Sequence, residues 1–379
     1  MEYKNEDKKA ILMLKDGRYF EGIGFGATGI VTGELVFTTI TGAGYNETLT
    51  DPSYQGQIVI MTHPLVGNYG VPAWEENEYG LLKFFESDSI KVSGFVVNEC
   101  CKKPHHYQSV KNLDTFLKEE GIPGVEWIDT REITKILRDE GVQIGLLAVY
   151  PRGEDPDIQE LKQKVKDAED PNTRHLASEV STSEVKTYTP DHPEGRVVIL
   201  DLGVKYSIIR NLVKRDIEVI LVPYDFSYDE IMEYDPQGVL ISNGPGDPKL
   251  YHNAVEVGEK LIENDIPTFG ICLGNQIIGL AAGGDSYKLP YGHRGGNKTV
   301  INPDTQKCSI TSQNHGYCVR NFEEGGFIEF LKNIDDESNE GIIHQSKPIL
   351  AVQFHPEGSP GPYDSLYLFD RFTKMMGLN

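Results

Sequence analysis

An α/β fold is expected: a parallel or mixed sheet flanked by helices in the C-terminal half, preceded by a mixed, β-rich N-terminal domain. Three observations carry this. After Arg196, short apolar runs alternate with helical stretches. Before residue 178, apolar strands are punctuated by glycines. Between the two lies a polar segment, SEVSTSEVKTYTPDHPEG at residues 178–195, with the composition of an exposed linker. The expected domains are therefore 1–190 and 191–379. A chain of 379 residues is long for one domain and leaves each part enough residues for a core.

In the first part, residues 10–14, 33–40 and 57–62 have strand character, with Gly17, Gly22, Gly24, Gly26, Gly29 and Gly33 between them. Residues 112–120 and 131–140 have helical character. In the second of these, Thr130 is placed to cap, and Ile133, Ile136 and Leu137 share a face. In the second part, strands are expected at 197–202, 217–222, 238–242 and 268–271. Helices are expected at 208–214, 253–264 and 275–282. Apolar runs buried on both faces, joined by helical crossovers, mean a parallel sheet.

Composition narrows the function. Charged residues make up 25% and hydrophobic residues 39%, an ordinary globular balance. The formal net charge is −22, which repels nucleic-acid phosphate and anionic lipid, so neither is an expected partner. The five cysteines, Cys100, Cys101, Cys272, Cys308 and Cys318, are odd in number and lack paired metal-ligand spacing. Reduced thiols and a cytoplasmic location are expected. The charged N-terminus, MEYKNEDKKAILML, lacks a secretory apolar stretch, and no run approaches the roughly 18 apolar residues that span a bilayer.

The strongest local motif is Gly270-Ile271-Cys272-Leu273-Gly274, between an expected strand and an expected helix. It has the form of a nucleophile elbow with sulfur in place of a hydroxyl. A sharp strand-to-helix turn projects the side chain above the sheet. Glycines two before and two after relieve the crowding. The helix N-terminus favours thiolate over thiol, and the Leu273 N–H is placed to receive an oxyanion.

A thiolate needs a base and a group to orient it. His355 follows the expected strand 349–354, and Glu357 lies two residues on, across Pro356. Both side chains can enter one site beyond the strand ends, the carboxylate holding the imidazole tautomer. Directly after strand 238–242 comes Ser242-Asn243-Gly244-Pro245-Gly246-Asp247-Pro248. This rigid loop can bring backbone close to a ligand and supply a second oxyanion donor.

Together, GICLGNQ at 270–276, SNGPGDP at 242–248 and QFHPE at 353–357 resemble the class I, triad-type glutamine amidotransferase family. TDPSY at 50–54, IDTR at 128–131, GHRGGN at 292–297, TSQNHGY at 311–317 and EGSPGPYD at 357–364 narrow the resemblance to the carbamoyl-phosphate synthase small-subunit family, over nearly the whole chain. The resemblance implies a Cys272, His355 and Glu357 triad, and an oxyanion hole from the amides of Leu273 and Gly244, or its neighbour Gly246. It implies glutamine contacts from Ser53, Gln276, Asn314, Gly316 and Tyr317. It also implies a large-subunit partner that carries ATP and metal, docked by the N-terminal domain, with L-glutamine as substrate and no cofactor or metal in this chain. Ammonia would pass to that partner through a tunnel, and carbamoyl phosphate would feed pyrimidine and arginine synthesis. Asn275 stands where the family commonly has His, and TGAGYNETL before TDPSY is one residue longer than usual.

Other features carry less. Gly24-Phe25-Gly26-Ala27-Thr28-Gly29 fits a dinucleotide fingerprint but precedes a strand rather than a helix. Asn297 interrupts the phosphate-loop likeness of residues 296–299. His105-His106 is a polar pair without further ligands nearby. Asn46 and Asn297 head sequons that have no meaning in a cytoplasmic chain. Two other readings stand beside the main one. An amidotransferase subunit of a different synthase would not need this first half. A catalytically silent regulatory subunit would not need Cys272, His355 and Glu357 intact.

Overall fold

The computed structural model describes residues 8–378. The N-terminal segment read above as lacking a signal begins in residues outside that range. The chain divides into two compact units, one of residues 1–75 and 82–174, the other of residues 76–81 and 175–379. The division falls earlier than the expected boundary at 190.

The first unit contains β1 (Lys8–Leu14), β2 (Tyr19–Gly26), β3 (Gly29–Thr38), α1 (Tyr45–Thr50), β4 (Gln57–Met61), β5 (Leu65–Val66), β6 (Gly94–Val96), β7 (Glu99–Cys100), α2 (Leu113–Glu119), β8 (Pro123–Glu126), α3 (Thr130–Glu140), β9 (Gln143–Val149) and α4 (Ile158–Asp167). Seven of these strands close into a barrel in the order β1-β2-β8-β6-β4-β3-β9, and β5 pairs with β7 apart from it. Alternation along β1 explains the layers. Ala10, Leu12 and Leu14 join Leu35, Ile58, Ile60, Val125 and Leu147 in one buried cluster, which Ile133 and Leu137 of α3 complete. Ile11 and Met13 point the other way, against Leu161 and Val165 of α4. The cap of α3 is Asp129 rather than Thr130. Its carboxylate accepts from the Glu132 N–H at 2.8 Å, and Thr130 is already the first helical residue.

The second unit contains α5 (Ala177–Val180), β10 (Lys186–Tyr188), β11 (Gly195–Asp201), α6 (Tyr206–Val213), β12 (Ile217–Pro223), α7 (Tyr228–Met232), β13 (Gly238–Ile241), α8 (His252–Glu263), β14 (Thr268–Ile271), α9 (Leu273–Ala281), β15 (Asp285–Ile301), β16 (Cys308–Arg320), β17 (Phe327–Asn333), β18 (Asn339–His344), β19 (Ile349–Val352) and α10 (Tyr367–Met375). Its ten-stranded sheet runs β10-β12-β11-β13-β14-β19-β18-β17-β15-β16. The strands from β12 to β19 are parallel, as the apolar runs predict. The remaining strands pair antiparallel. One face buries Val197, Ile199, Val219 and Leu221 under α6 and α10. The opposite face buries Val198, Leu200, Ile220 and Val222 with Ala254, Val257 and Leu261 of α8 and Ile277 of α9.

The segment expected to be a linker is partly structured. Lys186, Thr187 and Tyr188 form an antiparallel edge strand against Leu221, Ile220 and Val219. An edge strand with one face in solvent needs few apolar residues, so its composition reads as linker.

Candidate functional site

The site lies in the second unit, beyond the C-terminal ends of β11, β13, β14 and β19. This is where ligands bind in open α/β sheets. Cys272 follows β14 and immediately precedes α9, with φ 55° and ψ −101°. That conformation is uncommon for a residue with a side chain and costs on the order of 1–3 kcal/mol. The flanking glycines permit it. A Cβ on Gly270 would stand 2.7 Å from the Gly274 carbonyl oxygen, and one on Gly274 would stand 2.0 Å from that of Ile241. The elbow inferred from spacing is therefore present, for the steric reason given.

Cys272 is buried. Its Sγ lies 3.6 Å from the Asn314 carbonyl oxygen, and the Gln353 carboxamide nitrogen approaches it at 3.8 Å. Gln353 Nε2 also donates to the Cys272 carbonyl at 3.4 Å, while its Oε1 accepts from Asn275 Nδ2 at 3.1 Å. Asn275 thus aligns the amide beside the sulfur, a role that needs a donor but no titration.

His355 and Glu357 sit just past β19. The His355 N–H donates to the Ser312 carbonyl at 2.8 Å, which ties this segment to β16. His355 Nδ1 meets Glu357 Oε1 at 2.7 Å. The carboxylate makes Nδ1 the protonated nitrogen and turns Nε2 toward Cys272. A third group, not anticipated from the sequence, completes the chain. Lys205 Nζ lies 2.8 Å from Glu357 Oε1 and donates to the Ser359 carbonyl at 3.0 Å. Lys205 comes from the loop after β11. There the Asp201 carboxylate accepts from the N–H groups of Gly203 at 2.9 Å and Val204 at 2.8 Å. The Lys205 N–H in turn donates to Asn243 Oδ1 at 3.2 Å.

The electrostatics follow from these contacts. Burial pushes the Glu357 carboxyl up, but the Lys205 ammonium, and then His355, outweigh it and hold the group ionised, below its ordinary range. Burial lowers the His355 imidazole, yet the Glu357 carboxylate overcomes this and raises it. The arrangement stabilises an imidazolium directed at a thiol.

The other expected residues divide into groups. Leu273 opens α9, so its N–H belongs to the first turn, which lacks intrahelical partners. Gly244 adjoins it, since a Cβ there would lie 2.9 Å from Leu273 Cδ2 and 2.2 Å from the Leu202 carbonyl oxygen. Gly246 has φ +89° and faces the Tyr251 hydroxyl, which donates to the Pro245 carbonyl at 2.6 Å. Gln276 Nε2 donates to the Tyr317 carbonyl at 2.9 Å, joining α9 to the Asn314-Gly316-Tyr317 stretch of β16. Ser53 belongs to the first unit, in the turn Pro52–Tyr54, where its N–H donates to Asp51 Oδ1 at 2.9 Å.

GHRGGN and TSQNHGY lie on the two strands of one hairpin. His293 pairs with His315, Arg294 with Asn314 and Gly295 with Gln313. Burial holds the His315 imidazole well below its ordinary value and raises the Cys318 thiol. Among the described residues no cysteine is bonded to another, and no helix is long and apolar enough to cross a membrane. Among the described residues, His105 and His106 belong to no group of three or more metal-ligating side chains.

Residues 198–375 match the family "Glutamine amidotransferase class-I". Residues 12–147 match "Carbamoyl-phosphate synthase small chain, CPSase domain". The carbamoyl phosphate synthase small chain of Methanocaldococcus jannaschii is 48% identical over 97% of this chain and 99% of its own length. That of Pyrococcus furiosus is 44% identical over 97% and 98%. The multifunctional protein CAD of Squalus acanthias is 47% identical over 96% of this chain, which corresponds to 16% of that much longer protein. By its matched domains and by identity along nearly its whole length, the chain belongs to the carbamoyl phosphate synthase small chain family.

Proposed function

We propose that this chain is the cytoplasmic, glutamine-hydrolysing subunit of a carbamoyl-phosphate synthase and acts through a Cys272, His355 and Glu357 triad. The observation that carries the reading is the strained elbow at Cys272, facing a buried His355 whose other nitrogen is held by Glu357.

In this reading the Cys272 thiolate attacks the side-chain amide carbon of glutamine. The carbonyl oxygen becomes an oxyanion held by the amides of Leu273 and Gly244. The His355 imidazolium gives its proton to the departing nitrogen, and the C–N bond breaks to leave ammonia and a γ-glutamyl thioester. His355, now neutral, takes a proton from water, whose oxygen attacks the thioester. Collapse releases glutamate and returns the sulfur as thiolate. Each acid–base step contributes roughly 10²–10⁴-fold. Gln276, Asn314, Gly316 and Tyr317, all of the second unit, hold the glutamine. Glu357 orients His355, and Lys205 keeps Glu357 ionised.

The ammonia passes to a large subunit that condenses it with bicarbonate at the expense of ATP. The resulting carbamoyl phosphate supplies pyrimidine and arginine synthesis. ATP and its metal belong to that partner, and the glutaminase chemistry needs no cofactor. Similar sequences occur both as separate small chains and within far longer chains, which supports a partnership. The test is reconstitution with a carbamoyl-phosphate synthase large subunit. Glutamine, bicarbonate and ATP should yield carbamoyl phosphate only when both chains are present. Formation of a different amidated product, or none with a large subunit active on ammonia, would contradict the assignment.

A further inference from the structure

A second cluster of ionisable side chains lies on the sheet beyond the triad. The β15–β16 hairpin sets His293 opposite His315, with ring centroids 5.0 Å apart and the planes at 84°. Glu340 on β18 is fully buried beside them. His293 Nδ1 lies 3.3 Å from Glu340 Oε1, and His315 Nε2 lies 3.9 Å from the same oxygen. One ligand atom from each of the three residues falls within 4.8 Å of the others.

The outer contacts decide what these atoms offer. His293 Nε2 donates its N–H to Asp336 Oδ2 at 2.9 Å, and the Asn333 amide nitrogen, which only donates, approaches Nδ1 at 3.3 Å, so Nδ1 carries the lone pair. His315 Nδ1 meets the Tyr317 carbonyl oxygen at 3.0 Å. A carbonyl only accepts, so the proton is on Nδ1 and Nε2 carries the lone pair. Both lone pairs therefore lie near the Glu340 carboxylate, and the one on His293 shares a single amide donor with it. Gln313 Oε1, 3.4 Å from His315 Nε2, is a further oxygen nearby. The second oxygen of Glu340, Oε2, is buried without a hydrogen-bond partner. Asn333 Nδ2 alleviates part of this by donating to Glu340 Oε1 at 2.7 Å and approaching His293 Nδ1 at 3.3 Å. Converging lone pairs with an orphaned carboxylate oxygen are better satisfied by a cation than by one amide.

We propose that His293, His315 and Glu340 bind one divalent transition-metal ion of the zinc class, with Asp336 and the Tyr317 carbonyl orienting the two imidazoles. Two imidazoles and a carboxylate suit such an ion, and metal-bound histidine ordinarily gives its other N–H to a carboxylate or carbonyl. Zinc bonds of about 2.0–2.1 Å in tetrahedral geometry separate ligand atoms by roughly 3.3 Å. The His293–Glu340 pair already has this spacing, and His315 draws in to complete it. The ion braces β16, where His315 stands between Asn314, whose carbonyl meets Cys272 Sγ, and the Gly316-Tyr317 segment.

The probe is Co²⁺ alone, titrated into the purified full-length chain. One equivalent should bind and give a visible ligand-field band without intense thiolate charge-transfer absorption. Glu340→Gln and His293→Asn should each abolish that band while circular dichroism stays that of the folded chain. Asp336→Asn, at a half-exposed position, should fold and weaken the affinity about 10–100-fold. No ligand-field band in the unaltered chain, thiolate charge-transfer absorption marking binding at a cysteine, or a band unchanged in both ligand variants would overturn the proposal. Should neither ligand variant fold, an affinity unchanged by Asp336→Asn would overturn it equally.

Discussion

Lys205 Nζ and Glu357 Oε1 lie 2.8 Å apart, both side chains almost wholly buried, in the second unit beneath the elbow. A lysine is almost never fully buried unless it is paired. Here the pair fixes the charge of the carboxylate that, in turn, fixes His355. Lys205→Met should remove one partner of a buried ion pair, leaving Glu357 with His355 alone, and cost about 3–5 kcal/mol of stability. Urea denaturation measures this. The pH dependence has a definite sign. The folded-state Glu357 carboxyl sits below its ordinary value of 4.5, so its stabilisation is present above that pH and is lost as pH falls below it. Removing Lys205 removes the largest lowering influence, so acid unfolding of the variant should begin at higher pH than in the unaltered chain. Equal stability and equal acid midpoints would remove Lys205 from the account.

Glu357→Gln tests the next contact. The carboxylate holds the His355 imidazole above its ordinary value against burial. Its loss should drop His355, so that the imidazolium needed to protonate ammonia disappears at lower pH. The alkaline limb of kcat/KM for glutamine hydrolysis should therefore shift toward acid, and kcat should fall. An unmoved alkaline limb would mean that another group supplies the proton.

Gly274→Ala tests the steric argument for the elbow. The added Cβ would stand 2.0 Å from a backbone oxygen of β13, which cannot rotate away. Overpacking costs roughly 1–3 kcal/mol, and a clash with backbone belongs at the upper end. Thermal denaturation and glutaminase rate should fall together. A stable, fully active variant would show that the turn tolerates more than its geometry allows.

The parts of this site that the sequence made legible share one property: a backbone constraint written in residue types. The glycines at 270 and 274 announce a crowded turn. The proline between His355 and Glu357 announces a fixed spacing at a strand end. The apolar runs of β11 to β14 announce a buried parallel sheet. Lys205 bears no such mark. Its burial depends on a carboxylate more than 150 residues away in sequence, at 357. Its one local sign is its position just beyond the end of β11. Asn275 reads as a departure until Gln353 is placed beside it by the packing of α9 on β19. The long β15–β16 hairpin is equally hidden. Register shifts between Lys288 and His293 and between Gly295 and Lys298 break the two-residue alternation that identifies a strand. The capping of α3 shows a smaller limit, since Asp129 and Thr130 both suit a cap and only the backbone decides between them.

The central claim is that Cys272 makes glutamine nitrogen available and does nothing else in the synthesis. The direct measurement is carbamoyl phosphate formation by the assembled complex carrying Cys272→Ser, assayed in parallel with glutamine and with ammonium as nitrogen source. The account predicts that glutamine-dependent synthesis disappears while ammonium-dependent synthesis continues at the rate of the unaltered complex. Glutamine-dependent synthesis that survives the substitution would contradict it.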